Sequence, residues 1–334
     1  MVTTVFRYSK CLHTVFKHAH SFVRLVTISL PVRYPRKQKI WYDCTIMKPF
    51  LFINPLSGSY ARKRINMVIT RLKNAGMSPT VFSVSTPTEI FSCCRQINET
   101  AENPLVIVAG GDGTINLVVN GLQPGSVTLA VLPMGTSNVL AAELGIKSIK
   151  YGIKRILKGK TRALSVGLLH LEQGSYRFLL MAGVGLDGSV VRDVWPLGKR
   201  LLKQGAYALS ALFSTFKWDR SMIEVITSDR QVTCHSAIVC SASRYGGDYI
   251  ISPEGDVFSP ELTAVCISKN RRRNYVRLAI ELLRGKADTS NELIRIPADG
   301  LEIRGVKPIQ IDGDFVGYSP ARINSVPNFA RIIV

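Results

Sequence analysis

The sequence predicts an α/β domain on a parallel sheet, followed by a second domain of mainly antiparallel strands. Three observations predict this. From residue 47 to about 160, apolar runs of strand length alternate with helical patterns, the mark of parallel βαβ units. From 161 to 334, strand-like runs follow one another with only two helical interruptions. A chain of 334 residues with 46% hydrophobic content can bury two cores.

The elements follow in order. Residues 49–53, Pro-Phe-Leu-Phe-Ile, read as a strand that empties into Asn54-Pro55-Leu56-Ser57-Gly58-Ser59. A helix begins near Ala61, with Arg62, Lys63 and Arg64 in its first turns. Residues 80–85 supply a second strand and 88–99 a helix, with Thr86 between them. The buried-looking run 105–109 leads into Gly110-Gly111-Asp112-Gly113-Thr114 and a helix over Ile115 to Asn120. Strand 127–132 is followed by Pro133-Met134-Gly135-Thr136-Ser137-Asn138, a helix over 139–144, and another over 148–158 that ends at Gly159. Beyond it come strands at 163–171, 176–182, 222–227, 232–241, 262–268, 293–296, 301–303, 308–311 and 331–334. The interrupting helices are 197–216 and 274–283.

The glycine turn at 110–114 carries the chemistry. Glycine lets the backbone turn with φ > 0 and leaves amides open to an incoming oxygen. The helix that follows aims unpaired N–H groups and its positive dipole end at the same point, which suits a phosphate. Asp112 adds a carboxylate that can hold Mg²⁺ or take a proton. Each of the three strand–turn–helix units is by itself an ordinary capped turn. Together, at one edge of a parallel sheet, they form a nucleotide crevice. Thr114, Asn116 and Thr136 supply hydroxyl or amide contacts, and Thr86 can cap the helix after it.

A formal charge of +20 calls for anionic partners: nucleotide, an acidic membrane surface or nucleic acid. No zinc-finger spacing and no basic helix interleaved with aromatics is present, so nucleic acid is not expected as a partner. Basic clusters at 33–39, 147–162, 199–203 and 271–273 are either solvated surface or, used together, a face for anionic lipid. Seven cysteines without a Cys-x-x-Cys give no disulfide framework and point to a reducing compartment. Residues 1–46 are basic, with Asp43 as their single acid, and read as a non-folding extension or an over-extended gene start.

Asn54-Pro55-Leu56-Ser57-Gly58, Gly110 to Thr114 and Pro133 to Asn138, in this order and spacing, resemble the diacylglycerol kinase catalytic-domain family. That family includes bacterial soluble lipid kinases and is related to sphingosine and ceramide kinases. The resemblance continues through Gly183-Val184-Gly185-Leu186-Asp187, Gly246-Gly247, Ser252-Pro253 and Asp312-Gly313-Asp314, and covers residues 47–334. It implies a Rossmann-like nucleotide domain over 47–160, a β-sandwich over 161–334 whose end packs back toward the first domain, and a reaction between the two. It further implies ATP and Mg²⁺, a lipid hydroxyl as acceptor, and a cytoplasmic protein peripheral to the membrane; a homodimer is left open. The nucleotide contacts would be Asn54, Pro55, Leu56, Ser57, Gly58, Thr86, Gly110, Gly111, Asp112, Gly113, Thr114, Ile115, Asn116, Gly135, Thr136 and Asn138.

The resemblance also implies roles for three acids. Asp314 stands where bacterial members carry the glutamate that accepts the proton, whereas sphingosine-kinase relatives give that role to the position of Asp112. Asp187 would face the lipid head group, or cap a helix. Two departures stand out. Bacterial relatives bind a structural Mg²⁺ in the loop after Pro253. Here Ser259 replaces the ligand aspartate, which weakens the site unless Asp256 or Glu261 compensates. Ser59 stands where many members have lysine. The alternatives are an NAD-kinase-like small-molecule kinase and a catalytically impaired nucleotide- or lipid-binding homologue.

Overall fold

Strand β1 (Pro49–Ile53) is buried along its whole length and pairs in parallel with β2 (Thr80–Ser83) on one side and β3 (Leu105–Gly110) on the other. β4 (Thr128–Pro133) continues the parallel sheet from β3. Side chains alternate across such a sheet. Phe50, Phe52, Val106, Val108, Leu129 and Val131 enter one core cluster; Leu51, Ile53, Leu105, Ile107, Ala130 and Leu132 enter another. Burial on both faces explains why these strands read as unbroken apolar runs. Helices α2 (Pro87–Thr100) and α3 (Asp112–Gly121) contribute to the first cluster, α1 (Arg62–Asn74) and α5 (Ile149–Lys158) to the second. The short α4 (Val139–Glu143) follows β4.

The computed structural model describes residues 49–57, 62–201, 218–245, 247, 249–285, 290 and 292–334, all within one compact unit. The leader 1–46, Gly58, Ser59, Gly246 and most of the 197–216 segment lie outside them.

From β5 (Thr161–Leu171) onward the strands are mainly antiparallel, as expected. β6 (Gly174–Phe178), β7 (Met181–Val184), β8 (Ile223–Ile226), β9 (Gln231–Cys234), β10 (Ser236–Cys240), the short pair β11 (Arg244–Tyr245) and β12 (Tyr249–Ile250), and β13 (Leu262–Ile267) follow. The chain ends with β14 (Leu293–Ala298), β15 (Gly300–Arg304), β16 (Pro308–Ile311), β17 (Asp314–Tyr318) and β18 (Ala321–Ile333). α6 (Leu186–Leu201) and α7 (Arg272–Leu283) are the helices of this half among the described residues.

One sheet runs β2-β1-β3-β4-β18-β15-β8-β9, with β5 and β6 branching at β18; the other runs β14-β13-β10-β7-β16-β17. Between them lies a core of Leu169, Phe178, Val225, Ile303 and Ile323 against Val184, Ala264, Cys266, Ile309 and Ile311. β18 is the joint: Arg331 and Ile332 pair in parallel with β4, while its earlier residues pair antiparallel with β5 and β15. The sandwich therefore continues the nucleotide sheet.

Four expected elements differ. The strand expected at 331–334 is the tail of the 13-residue β18, whose polar middle and bulge hide it from apolar-run reading. The run 176–182 splits into β6 and β7. The run 232–241 splits at His235, where the chain leaves one sheet for the other. α6 begins at Leu186, well before the expected 197.

Candidate active site

The three glycine- and hydroxyl-bearing turns follow β1, β3 and β4, and parallel pairing puts those strand ends on one edge. They are also bonded to one another. The Asn54 amide donates to Thr114 Oγ1 at 3.0 Å and its Oδ1 accepts from Leu56 N, so the first turn is pinned to the second. Met134 N donates to Gly110 O at 3.1 Å. A Cβ on Gly135 would collide with the Cα of Gly111, so both glycines are needed for this approach. Asn138, in the left-handed region at φ +50°, closes the third turn by exchanging hydrogen bonds with Gly135.

Asp112 has a second duty that the sequence did not reveal. Its carboxylate accepts from Val139 N (3.0 Å) and Leu140 N (3.1 Å), capping α4 across the crevice. Each oxygen keeps a lone pair for a cation or its water. Thr86 takes the capping alternative: it accepts from Glu89 N, and Glu89 accepts from Thr86 N and Ser85 N in a full capping box. Among the other expected contacts, Ile115 is buried core, Leu56 is 75% exposed, Ser57 closes a turn onto Asn54 O, Thr136 is exposed and Gly58 is outside the described residues.

The N-terminus of α3 is suited to phosphate. Its N-cap is Gly111, with no side-chain hydrogen bond, and its first turn is Asp112-Gly113-Thr114. A Cβ on Gly113 would meet only Asp314 Oδ2, at 3.8 Å. The site thus sets a helix N-terminus close to a carboxylate. The residues fit the phosphates of a nucleotide and an associated divalent cation.

Asp314 owes its position to Asp312, which sequence reasoning missed. Asp312 (φ +46°) and Gly313 (φ +92°) form the two-residue turn between β16 and β17. Asp312 Oδ1 accepts from Leu180 N (2.9 Å) and Met181 N (3.0 Å). Its Oδ2 accepts from Leu179 N (2.7 Å) and Asn116 Nδ2 (2.8 Å). These bonds explain why the run 176–182 breaks. Burial pushes the Asp312 carboxyl up to about 6, against the pull of the backbone donors. Asn116, expected at the nucleotide, spends its amide on Asp312 and on the Arg177 carbonyl. The Arg177 guanidinium in turn caps the last carbonyls of α3 through Val119, Asn120 and Leu122. The repeat Asn116…Asn120 on one helix face was the available signal.

Asp187 lies at the start of α6 and lines a narrow, mostly apolar cavity of about 60 Å³ with Val190, Ile238, Tyr245, Ile267 and Leu278. It accepts from Tyr245 OH (2.7 Å) and Gln310 Nε2 (2.6 Å), and burial raises its carboxyl above the ordinary range.

In the loop after Pro253, Asp256 and Ser259 already have partners within the protein. Asp256 accepts from Phe258 N and pairs with Arg162 at 3.8 Å, while Ser259 Oγ accepts from Glu261 N. The Arg162 guanidinium stacks 3.5 Å from the Phe258 ring centroid, on the same loop. No group of three acidic, His or Cys ligands occurs among the described residues.

A glycine-rich helix start with no side-chain cap, close to a carboxylate, suits the chemistry of an α/β phosphotransferase. Residues 48–169 match the diacylglycerol kinase catalytic domain, and residues 181–334 the YegS C-terminal NAD kinase beta sandwich-like domain. A diacylglycerol kinase of Staphylococcus epidermidis is 34% identical over 84% of this chain and 90% of its own. One of Bacillus subtilis is 25% identical over 85% of this chain and 95% of its own. In fold, the chain is similar to a diacylglycerol kinase from Bacillus anthracis, with TM-score 0.66, 18% identity, and coverage of 86% of this chain and 96% of that one. The chain belongs to the diacylglycerol kinase catalytic-domain family, a family of kinases.

Proposed function

We propose that this protein is an ATP-dependent lipid kinase. The observation that carries the reading is Asp314 facing the open N-terminus of α3, in a chain that also holds an apolar cavity with Asp187 on its wall. The relatives named diacylglycerol kinase support it.

In this reading the amides of Gly113 and Thr114 hold the phosphates, and Asn54 and Gly135 keep the turns in place. Asp187 orients the lipid head group while the apolar wall takes the start of an acyl chain. The lipid hydroxyl oxygen forms a bond to the γ-phosphorus, the bond to the β–γ bridging oxygen breaks, and ADP leaves. Asp314 accepts the hydroxyl proton. Bound with ATP, Mg²⁺ offsets the charge on the phosphates, and the spare lone pairs of Asp112 suit its water shell. Asp112 is occupied by the α4 amides, which favours Asp314 as the base.

The partners proposed are a lipid substrate and an anionic membrane surface, approached from the cytoplasm by the basic excess. No helix among the described residues is long and apolar enough to cross a membrane.

The test is phosphoryl transfer from radiolabelled ATP to a mixed lipid extract, with Asp314 variants. Asp314→Asn should lose most of kcat and keep ATP affinity; Asp314→Glu, one methylene longer, should retain or raise activity because the base must reach the hydroxyl. A wild-type protein that labels no lipid would refute the function. Full activity in Asp314→Asn would move the base role to Asp112.

A further inference from the structure

We propose that Gln310 is a positioning residue that couples Asp187, in the cavity, to the turn that carries Asp314. The inference rests on the lipid-kinase reading for what the two acids do, but not for the link between them.

Gln310 is 3% exposed and sits on β16 directly opposite Gly183 on β7. A Cβ on Gly183 would collide with the Asp187 carboxylate and meet the Gln310 amide at 2.8 Å. The missing side chain therefore opens the space in which Asp187 and Gln310 meet. Gln310 Nε2 donates to Asp187 Oδ2 at 2.6 Å, and Gln310 Oε1 accepts from Gly313 N at 2.7 Å. The orientation of the amide is chemically determined. Gly313 N–H can only donate, so the oxygen must face it, and the nitrogen is left for the carboxylate.

Gly313 is the residue before Asp314, and it lies at φ +92°. Its amide is held by Gln310, while the residue before it, Asp312, is held by Leu179, Leu180, Met181 and Asn116. Asp312 ties the turn to the α/β side through Asn116, and Gln310 ties it to the cavity through Asp187. Both Asp187 oxygens already take one donor each, from Tyr245 and Gln310. A head group that competes for Asp187 thereby acts on the Gln310 amide, and through it on the backbone next to the base. Lipid in the cavity and the carboxylate at the phosphate are linked by two hydrogen bonds and one side chain.

The experiment uses the full chain with selective ¹⁵N-glycine labelling together with steady-state kinetics. Gln310→Met keeps length and apolar volume but loses both bonds. It should lower kcat about ten- to a hundredfold, the scale of a misplaced catalytic group, with ATP affinity unchanged. In Gln310→Glu the new carboxyl can bridge Asp187 and Gly313 N–H only while it carries a proton. That variant should lose activity as pH rises through a limb absent from wild type, which a purely structural role would not produce. The Gly313 amide resonance should also move in Asp187→Asn, although Asp187 does not touch it.

Folded Gln310→Met with wild-type kcat, or Gln310→Glu with the wild-type pH profile, would overturn the proposal. If wild type phosphorylates no lipid, the kinase reading fails. The link is then decided by the resonance alone: a Gly313 signal unmoved in Asp187→Asn removes it.

Discussion

Asp312→Asn is the sharpest probe of how this site is held together. The side-chain volume is kept, and the remaining oxygen can still serve two of the four donors, Leu180 N and Met181 N. The new NH₂ group then faces Leu179 N and the Asn116 amide, donor against donor. Each buried donor left without an acceptor costs about 1–3 kcal/mol. Two of them give roughly 2–6 kcal/mol. Burial already works against the native carboxylate, as its rise to about 6 shows, so the lower half of that range is expected, about 3 kcal/mol.

For a chain of 334 residues, at about 2.1 cal/mol/K of unfolding entropy per residue, the melting midpoint should fall by roughly 4–5 °C. A shift of Asp314 by about 1 Å would cost on the order of 10²-fold in kcat. The sign of the pH effect is also determined. The native value lies above the ordinary 3.8, so the folded chain holds a proton that the unfolded chain has lost. This group favours folding at acid pH, and the contribution is lost as pH rises through about 6. The variant's deficit should therefore be larger at about pH 5 than at about pH 7.5. Calorimetry at both pH values and initial rates check this. An unchanged midpoint and unchanged rate would refute the anchoring role.

Two further expectations concern Asp112 and the loop after Pro253. Asp112→Asn should lose phosphoryl transfer and also lower stability by about 1 kcal/mol, because one α4 amide loses its acceptor; an unchanged rate removes the carboxylate from the mechanism, and unchanged melting shows the cap is dispensable. Without nucleotide, melting should be the same in EDTA as in Mg²⁺, while Arg162→Ala lowers stability by about 1 kcal/mol through the lost contact with Phe258. A midpoint that drops by several degrees in EDTA would restore the metal.

Local chemistry determined much of this protein. β1, β3 and β4 are apolar on both faces and so were legible as runs, and the turns after them were legible from glycine, asparagine and hydroxyl residues at the ends. The family follows from those turns because each residue answers a backbone requirement, as Gly111 and Gly135 do where they touch. In Asp312-Gly313-Asp314 the resemblance marked Asp314, and the structure shows that the first two residues are the turn that brings it beside Gly113 of α3.

What the tertiary structure decided is where polar groups find their partners, since that depends on residues far apart in sequence. Asp312 and Asn116 are 196 positions apart, and the Asn116…Asn120 repeat hints at a polar partner without saying which. The break in 176–182, the role of Gln310 beneath Gly183 and the second duty of Asp112 have the same origin. All but the tail of β18 escaped notice because its middle is polar and bulged, yet it joins the two halves into one sheet. Apolar periodicity reports which face a strand buries. It does not report which strand lies beside it, or which distant carboxylate waits for its amides.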